Sequence, residues 1–221
     1  MSLLNVNTIE PSTGTDITLG ASGDTITVPS GATFTQSGTM NASAITAGTM
    51  AIARGGTGAA TFAAAGLSNA PAFQAFMAGN QTISATTYTI ITFDTEDYDS
   101  DGCYNHTSGT VTLNGISTPA YSFAPNVAGK YLIGAAVNSN TGTDFDTFLV
   151  SIFKNGTQIN RVINSSRHYD TAMTSFIVTA NGTSDYFDIQ CYTEQSGGST
   201  LQPTDSSSRL MWFSGTRIIG A

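Results

Sequence analysis

Phe123-Ala-Pro-Asn-Val-Ala-Gly129-Lys-Tyr131-Leu-Ile133 is the stretch whose reading decides the fold. It leads into residues 129–137, one of several short runs dense in aromatic and β-branched residues, the composition of strands. Further runs lie at 88–93, 145–153, 173–179 and 185–192, and a last one at 209–219 carries Trp212, the sole tryptophan. Their spacing predicts a β-sandwich closed by the 209–219 strand at its centre. Within it, Asn155-Gly156 between 151–154 and 157–160 predicts a two-residue type I′ hairpin, because both turn positions need positive φ.

Toward the amino terminus the texture changes. Residues 1–70 form small pieces at 16–19, 25–28 and 32–35, which alternate Thr with apolar residues between Gly, Ser or Pro. Ile17-Thr-Leu19 recurs as Ile26-Thr-Val28, and Gly38-Thr-Met40 as Gly48-Thr-Met50. Phe34 and Phe62 are the only aromatic residues in this span, too little bulk for one chain to offset its ordering entropy. A thin β shaft of three parallel copies would let each strand turn its apolar edge to a shared axis. Arg54-Gly55-Gly56-Thr57-Gly58 marks a change of direction, and the Ala-rich stretch 59–67 predicts a helix. With no Lys in this turn and no buried strand before it, the P-loop and dinucleotide readings fail. The expected division is 1–70, virion attachment and β-repeat shaft with its Gly-rich and Ala-rich junction, and 71–221, a knob.

Composition narrows the function. Of 221 residues, 10% are charged and the net charge is -8, so Ser, Thr, Asn and Gly carry the solubility. That balance repels phosphate backbones and anionic membranes, and neither nucleic-acid binding nor membrane insertion is expected. The start, Met1-Ser-Leu-Leu-Asn-Val, lacks a secretory pattern, and no segment reaches transmembrane length. Cys103 and Cys191 fit no zinc or redox spacing and read as buried or half-buried thiols, with one disulfide between them as the alternative.

At the opening stretch the chain resembles the C1q/tumour-necrosis-factor-like jelly roll, whose signature is similar to Phe-x5-Gly-x-Tyr-x-apolar over residues 123–133. Phe93-Asp94 followed by the Gly102-Cys-Tyr104-Asn105 to Gly109 loop, Lys154-Asn155-Gly156, and Trp212-Phe213-Ser214-Gly215 are similar to the family's other motifs, in its order. Ile133 stands where the signature ends on an aromatic, and residues 110–122, with Asn114-Gly115, are long enough for an extra hairpin. The resemblance implies an all-β, trimeric binding head, with Phe123, Tyr131, Trp212 and Phe213 packing its core and trimer. The Gly-Gly-Thr-Gly element resembles those between shaft pieces of bacteriophage tail fibres, and no collagen-like stalk is present, which moves the expected setting to a virion.

Three groups of residues could carry chemistry. Asp97-Tyr-Asp99-Ser-Asp101-Gly102 copies the first half of a calcium loop, but the twelfth position, where an EF-hand has Glu, is Ser108. Calcium on Asp97, Asp99 and Asp101 is therefore a candidate against a solvated acidic turn. His106 and His168 are the only imidazoles, and no Gly-x-Ser-x-Gly elbow or Cys/His pattern accompanies them, so no enzyme is expected. Polar loops supply the receptor-contact candidates: Asn138, Asn140 and Asp144; Arg167, His168 and Tyr169; Glu194 and Gln195 within 194–208. The expected function is a homotrimeric viral fibre protein, docked to other virion proteins through residues 1–13 and binding a host surface glycan or protein. The alternatives are a head decoration without adhesive role and a bacterial surface lectin or glycan-acting protein.

Overall fold

The computed structural model describes residues 9–15, 18, 20–33, 35, 68–139, 147–164, 170–205 and 208–218. It divides into two units, Met1–Gly48 and Thr49–Ala221. In the first, no described residue is buried, and Ile26 is 63% exposed. Turns form where Gly and Pro punctuate the sequence: Asp24 N donates to Ala21 O at 3.0 Å, Ala21 N to Asp24 Oδ2 at 2.7 Å, and Ala32 N to Pro29 O at 3.0 Å. The expected strand at 25–28 makes no ladder, and neither do the described residues of 32–35. A strand needs a partner for its backbone groups, and none is present among the described residues of this unit. The expected strand at 16–19, apart from Thr18, and the expected helix at 59–67 lie outside the described residues.

The second unit is all-β among its described residues. In chain order its strands are β1 (Ala72–Phe76), β2 (Gln81–Ile83), β3 (Thr89–Ile90), β4 (Thr95–Asp99), β5 (Tyr104–Asn105), β6 (Val111–Leu113), β7 (Ile116–Thr118) and β8 (Ser122–Phe123). They continue as β9 (Gly129–Ser139), β10 (Phe148–Lys154), β11 (Thr157–Asn164), β12 (Asp170–Ala180), β13 (Phe187–Thr193), β14 (Ser199–Leu201), β15 (Thr204–Asp205), β16 (Ser208–Arg209) and β17 (Trp212–Ile218).

One sheet runs β2-β14-β9-β17-β1-β4, with β12 also on β9; the other runs β11-β10-β13-β8-β5, with β3 also on β13. Eight of these strands pair as a nested series. β1 pairs β17, β8 pairs β13, β9 pairs β12, and β10 pairs β11, all antiparallel. That is one long hairpin folded over, and the cross-pairs β9–β17 and β10–β13 roll it into two facing sheets. This connectivity is the jelly roll.

Alternation along the strands fills the space between the sheets. Tyr131, Ile133, Ala135 and Val137 of β9 point inward with Phe148, Val150 and Ile152 of β10 and Phe187, Ile189 and Cys191 of β13, all essentially inaccessible. Phe73 is the hub: its ring stacks 4.5 Å from both Tyr104 and Phe123 and meets Phe213 edge-on at 4.8 Å. Gly215 makes room for that hub, since a Cβ there would lie 2.8 Å from Phe73 and 3.0 Å from Phe123. The glycine of the Trp-Phe-Ser-Gly motif is thus a packing requirement.

Several expectations hold. Asn155 (φ 51°) and Gly156 (φ 76°) turn β10 into β11, Asn114 (φ 49°) and Gly115 (φ 81°) turn β6 into β7, and β17 lies between β1 and β9. Others are corrected. Of residues 88–93, Thr89–Ile90 forms a strand. The polar loop expected over 194–208 instead carries β14, which pairs β2 and buries Ser199 and Leu201. Cys103 and Cys191 are free, buried thiols; burial pushes the Cys103 thiol up to about 11 and that of Cys191 upward as well.

Candidate functional site

The carboxylates of the acidic turn are engaged by hydrogen bonds within the chain. Gln74 lies opposite Tyr98 and Ala75 opposite Glu96, so Asp97 is the extra residue of a bulge in β4 and leaves the alternation that would bring it beside Asp99. Asp97 accepts from Arg209 Nη1. Asp99 satisfies backbone donors with both oxygens, from Asp101 N at 3.2 Å and Tyr104 N at 2.7 Å. Asp101 Oδ2 accepts from Ser100 Oγ at 2.8 Å. The three carboxylates expected to share a calcium ion are thereby separated among different partners. Among the described residues no group of three His, Cys, Asp or Glu side chains could hold a metal ion.

Of the receptor-contact candidates, Asn138, Glu194 and Gln195 lie among the described residues. Asn138 is 6% exposed within β9, where its Nδ2 donates to Thr171 Oγ1 at 2.9 Å; it is a sheet residue, because β9 runs on to Ser139 instead of ending at Val137. Glu194 is exposed and accepts from Thr147 Oγ1 at 2.7 Å. Gln195 is half-buried and opens the turn into β14, its carbonyl accepting from Gly198 N at 2.9 Å. Asn140, Asp144, Arg167, His168 and Tyr169 lie outside the described residues. Of the packing residues, Phe123, Tyr131 and Phe213 are core within the chain, and Trp212 is half-buried on the outside of β17.

The Lys-Asn-Gly hairpin is held by a clamp. Lys154 Nζ lies 2.9 Å from Asp185 Oδ2 and donates to Thr179 O at 2.7 Å, while Asn155 Nδ2 donates to Asp185 Oδ1 at 2.7 Å. Burial opposes ionisation of Asp185, but hydrogen bonds from Lys154, Asn155 and Asn181 outweigh it and hold the carboxyl below its usual range. This ties the β10–β11 and β12–β13 turns together.

Two outward sheet faces remain. On the first sheet, positions alternate with the inward set, so Leu132, Gly134 and Ala136 of β9 face out beside Ile177, Ser175 and Met173 of β12. Leu132 is 42% exposed, Met173 59% and Ile177 55%. Trp212 lies over Gly134, where a Cβ would come within 3.2 Å of the indole. Farther along, the Arg209 guanidinium covers Phe76 at 3.6 Å from the ring centroid. At the neighbouring edge Phe176 and Ile163 are also exposed.

The outward face of the second sheet is different. Asp188 lies opposite Phe153, and Gln190 opposite Ser151. Tyr88 packs 5.3 Å from both Phe153 and Tyr192. Its hydroxyl accepts from Gln158 Nε2 at 2.8 Å, and the same amide donates to Ser151 Oγ at 2.8 Å. Asp188 is 2% exposed and accepts from Gln190 Nε2 at 2.8 Å. Burial, opposed by that bond, pushes its carboxyl up to about 6. A lone Asp in a strand reads as solvated in the sequence, whereas here it lies opposite Phe153 and is buried.

With this geometry in view, comparison with known proteins gives matches among solved structures. No family model matches the chain, and no curated protein matches it in sequence. The globular domain of zebrafish complement 1qA protein is similar at 13% identity, covering 67% of this chain and 96% of that one, with a TM-score of 0.47. Murine APRIL is similar at 10% identity over 66% of this chain and 98% of its own, also with a TM-score of 0.47. The PRD1 vertex protein P5 is similar at 12% identity over 67% and 73%, with a TM-score of 0.42.

Proposed function

We propose that the chain is a structural protein of a virus, a bacteriophage fibre whose homotrimeric knob binds the host cell surface. The observation that carries this reading is uncovered apolar surface in both units. Ile9, Ile26 and Val28 stand exposed in the first, and Leu132, Met173 and Ile177 form an open apolar face in the second. A monomer leaves both in water, at about 25 cal/mol for each Å² of apolar area that association would cover. Copies of the same chain cover both at once: Phe176 and Ile163 at the sandwich edge of one copy are apolar counterparts for the face of the next. Such edge-to-face contact is heterologous, and three copies close it into a ring.

The knob would act by multivalency, with three equivalent sites per fibre converting modest contacts into stable attachment. A net charge of -8 and a surface rich in Ser, Thr and Asn suit an exposed virion appendage. Light scattering on the full chain tests the assembly: the reading expects three times the 22.9 kDa of one chain. Adsorption tests the function. Purified full chain should compete with particles for host cells, and failure to compete at saturating concentration would remove the adhesive role.

A further inference from the structure

The outward face of the second sheet, lined by the half-buried Tyr88, Gln158, Gln190 and Tyr192, holds a carboxyl that is 2% exposed, that of Asp188. Asp188 costs stability when ionised, with a single neutral amide for compensation. Asp188 Oδ2 has no hydrogen-bond partner among the described residues, and Gln190 Nε2 has a second hydrogen to donate. The Gln158 amide is locked by Tyr88 and Ser151 through its nitrogen, which leaves Oε1 to accept.

Beside them β11 carries a bulge. Asn160 lies opposite Ile152 and Gln158 opposite Phe153, which leaves Ile159 extra, and an open groove of about 200 Å³ is lined by Gln158, Ile159, Asn160 and Arg161. A bulge on an edge strand re-aims side chains out of the regular ladder. The volume lies below the roughly 300–1,000 Å³ of pockets for drug-sized ligands and suits a small unit.

We propose that Tyr88, Tyr192, Gln158, Gln190 and Asp188, with the groove at Ile159, form a binding site for a neutral sugar unit of a surface glycan. A pyranose presents a CH-rich face, which packs on an aromatic ring, and a rim of hydroxyls that both donate and accept. The half-buried rings of Tyr88 and Tyr192 supply the first contact. Asp188 Oδ2 and Gln158 Oε1 accept from hydroxyls, and Gln190 donates to one. A phosphate, sulfate or uronate would meet the Asp188 carboxylate in a chain of net charge -8, so an acidic sugar is disfavoured. An apolar peptide side chain would bury Asp188 without a partner. This face is on the opposite side of the sandwich from Leu132, Met173 and Ile177.

The inference rests on the reading of the chain as a surface-binding protein, and the test separates the two. Full chain is applied to a printed array of neutral hexose, deoxyhexose and N-acetylhexosamine oligosaccharides, with sulfated and uronic-acid glycans as the acidic arm. Retention of neutral glycans is expected, with Asp188→Asn and Tyr192→Ala each weakening it at least about tenfold while the oligomeric mass stays that of the parent. Asp188→Asn preserves shape and the acceptor for Gln190, so its loss of binding cannot be ascribed to unfolding. The proposal is overturned by no binding to neutral glycans, by preference for the acidic arm, or by parent-like binding in both variants. If the parent and both variants compete equally with particles for host cells, the sugar site fails and the surface-binding reading stands. If the parent neither binds glycans nor competes, both fail.

Discussion

Leu132, Met173 and Ile177 stand bare on the outside of one sheet, whereas on the outside of the other Tyr88 packs against Phe153 and Tyr192 and Asp188 is buried. Both faces come from the same alternating strands. In the first, the residues have no polar atoms to satisfy, so any apolar partner of matching shape can cover them. In the second, hydroxyls, amides and a carboxyl are fixed by hydrogen bonds, which suits recognition and costs stability. The difference underlies the proposal that copies of the chain meet on the first face and that a ligand is held on the second.

The largest expected effect breaks the first face. Leu132→Asp combined with Ile177→Asp should convert the trimer to monomers at micromolar concentration. Each buried aliphatic side chain is worth about 1.5–3 kcal/mol, and the new carboxylates add desolvation and mutual repulsion. Light scattering reads the mass, and circular dichroism should show the sandwich intact, because neither side chain belongs to its core. A trimer that survives both substitutions would move the interface elsewhere.

Next comes the second face. Asp188 titrates at about 6 in the folded chain, against 3.8 as its ordinary value. Between those values the folded state keeps a proton that the unfolded state has released. Stability from this group is therefore complete below about pH 4 and is lost as pH rises through 6. Asp188→Asn should raise the melting temperature at pH 7 and match the parent at pH 4, with a gain capped at about 3 kcal/mol. Equal stability of parent and variant at pH 7 would show that the carboxyl is solvated.

A control belongs to neither face. Asp185→Ala removes the shared acceptor of Lys154, Asn155 and Asn181, and should cost about 2–3 kcal/mol in urea unfolding without changing oligomeric mass. The contribution of Asp185 is present above pH 4 and is lost as pH falls through its lowered pKa, the reverse of Asp188. The smallest effect is at Gly134. Gly134→Ala puts a methyl against the indole of Trp212 and should cost about 1 kcal/mol, read as shifted fluorescence from the sole tryptophan. Unchanged emission would mean that Trp212 does not lie over β9.

Much of the fold was legible because it is local. Asn155-Gly156 and Asn114-Gly115 state their turns through backbone chemistry, and the dense runs around Tyr131, Phe148 and Phe187 state their strands. The candidate sites were less legible, for identifiable reasons. Asp97-x-Asp99-x-Asp101 looks like a metal loop if the spacing is regular, and a bulge in β4 makes it irregular. Residues 194–208 are polar enough to read as loop, yet Leu201 supplies the one apolar side chain that lets β14 dock beside β9. Residues 25–28 have a strand's alternation but no ladder partner among the described residues. Asp188 was not legible because its burial comes from tertiary packing that a lone Asp in a strand does not announce.

The most direct test of the central claim, that copies of this chain cover the apolar face of the first sheet, is fluorescence of Trp212 followed with mass on dilution of the full chain. A trimer whose emission shifts red as it dissociates to 22.9 kDa is the predicted result. A monomer at micromolar concentration, or a trimer whose Trp212 emission is unchanged when it falls apart, would contradict it.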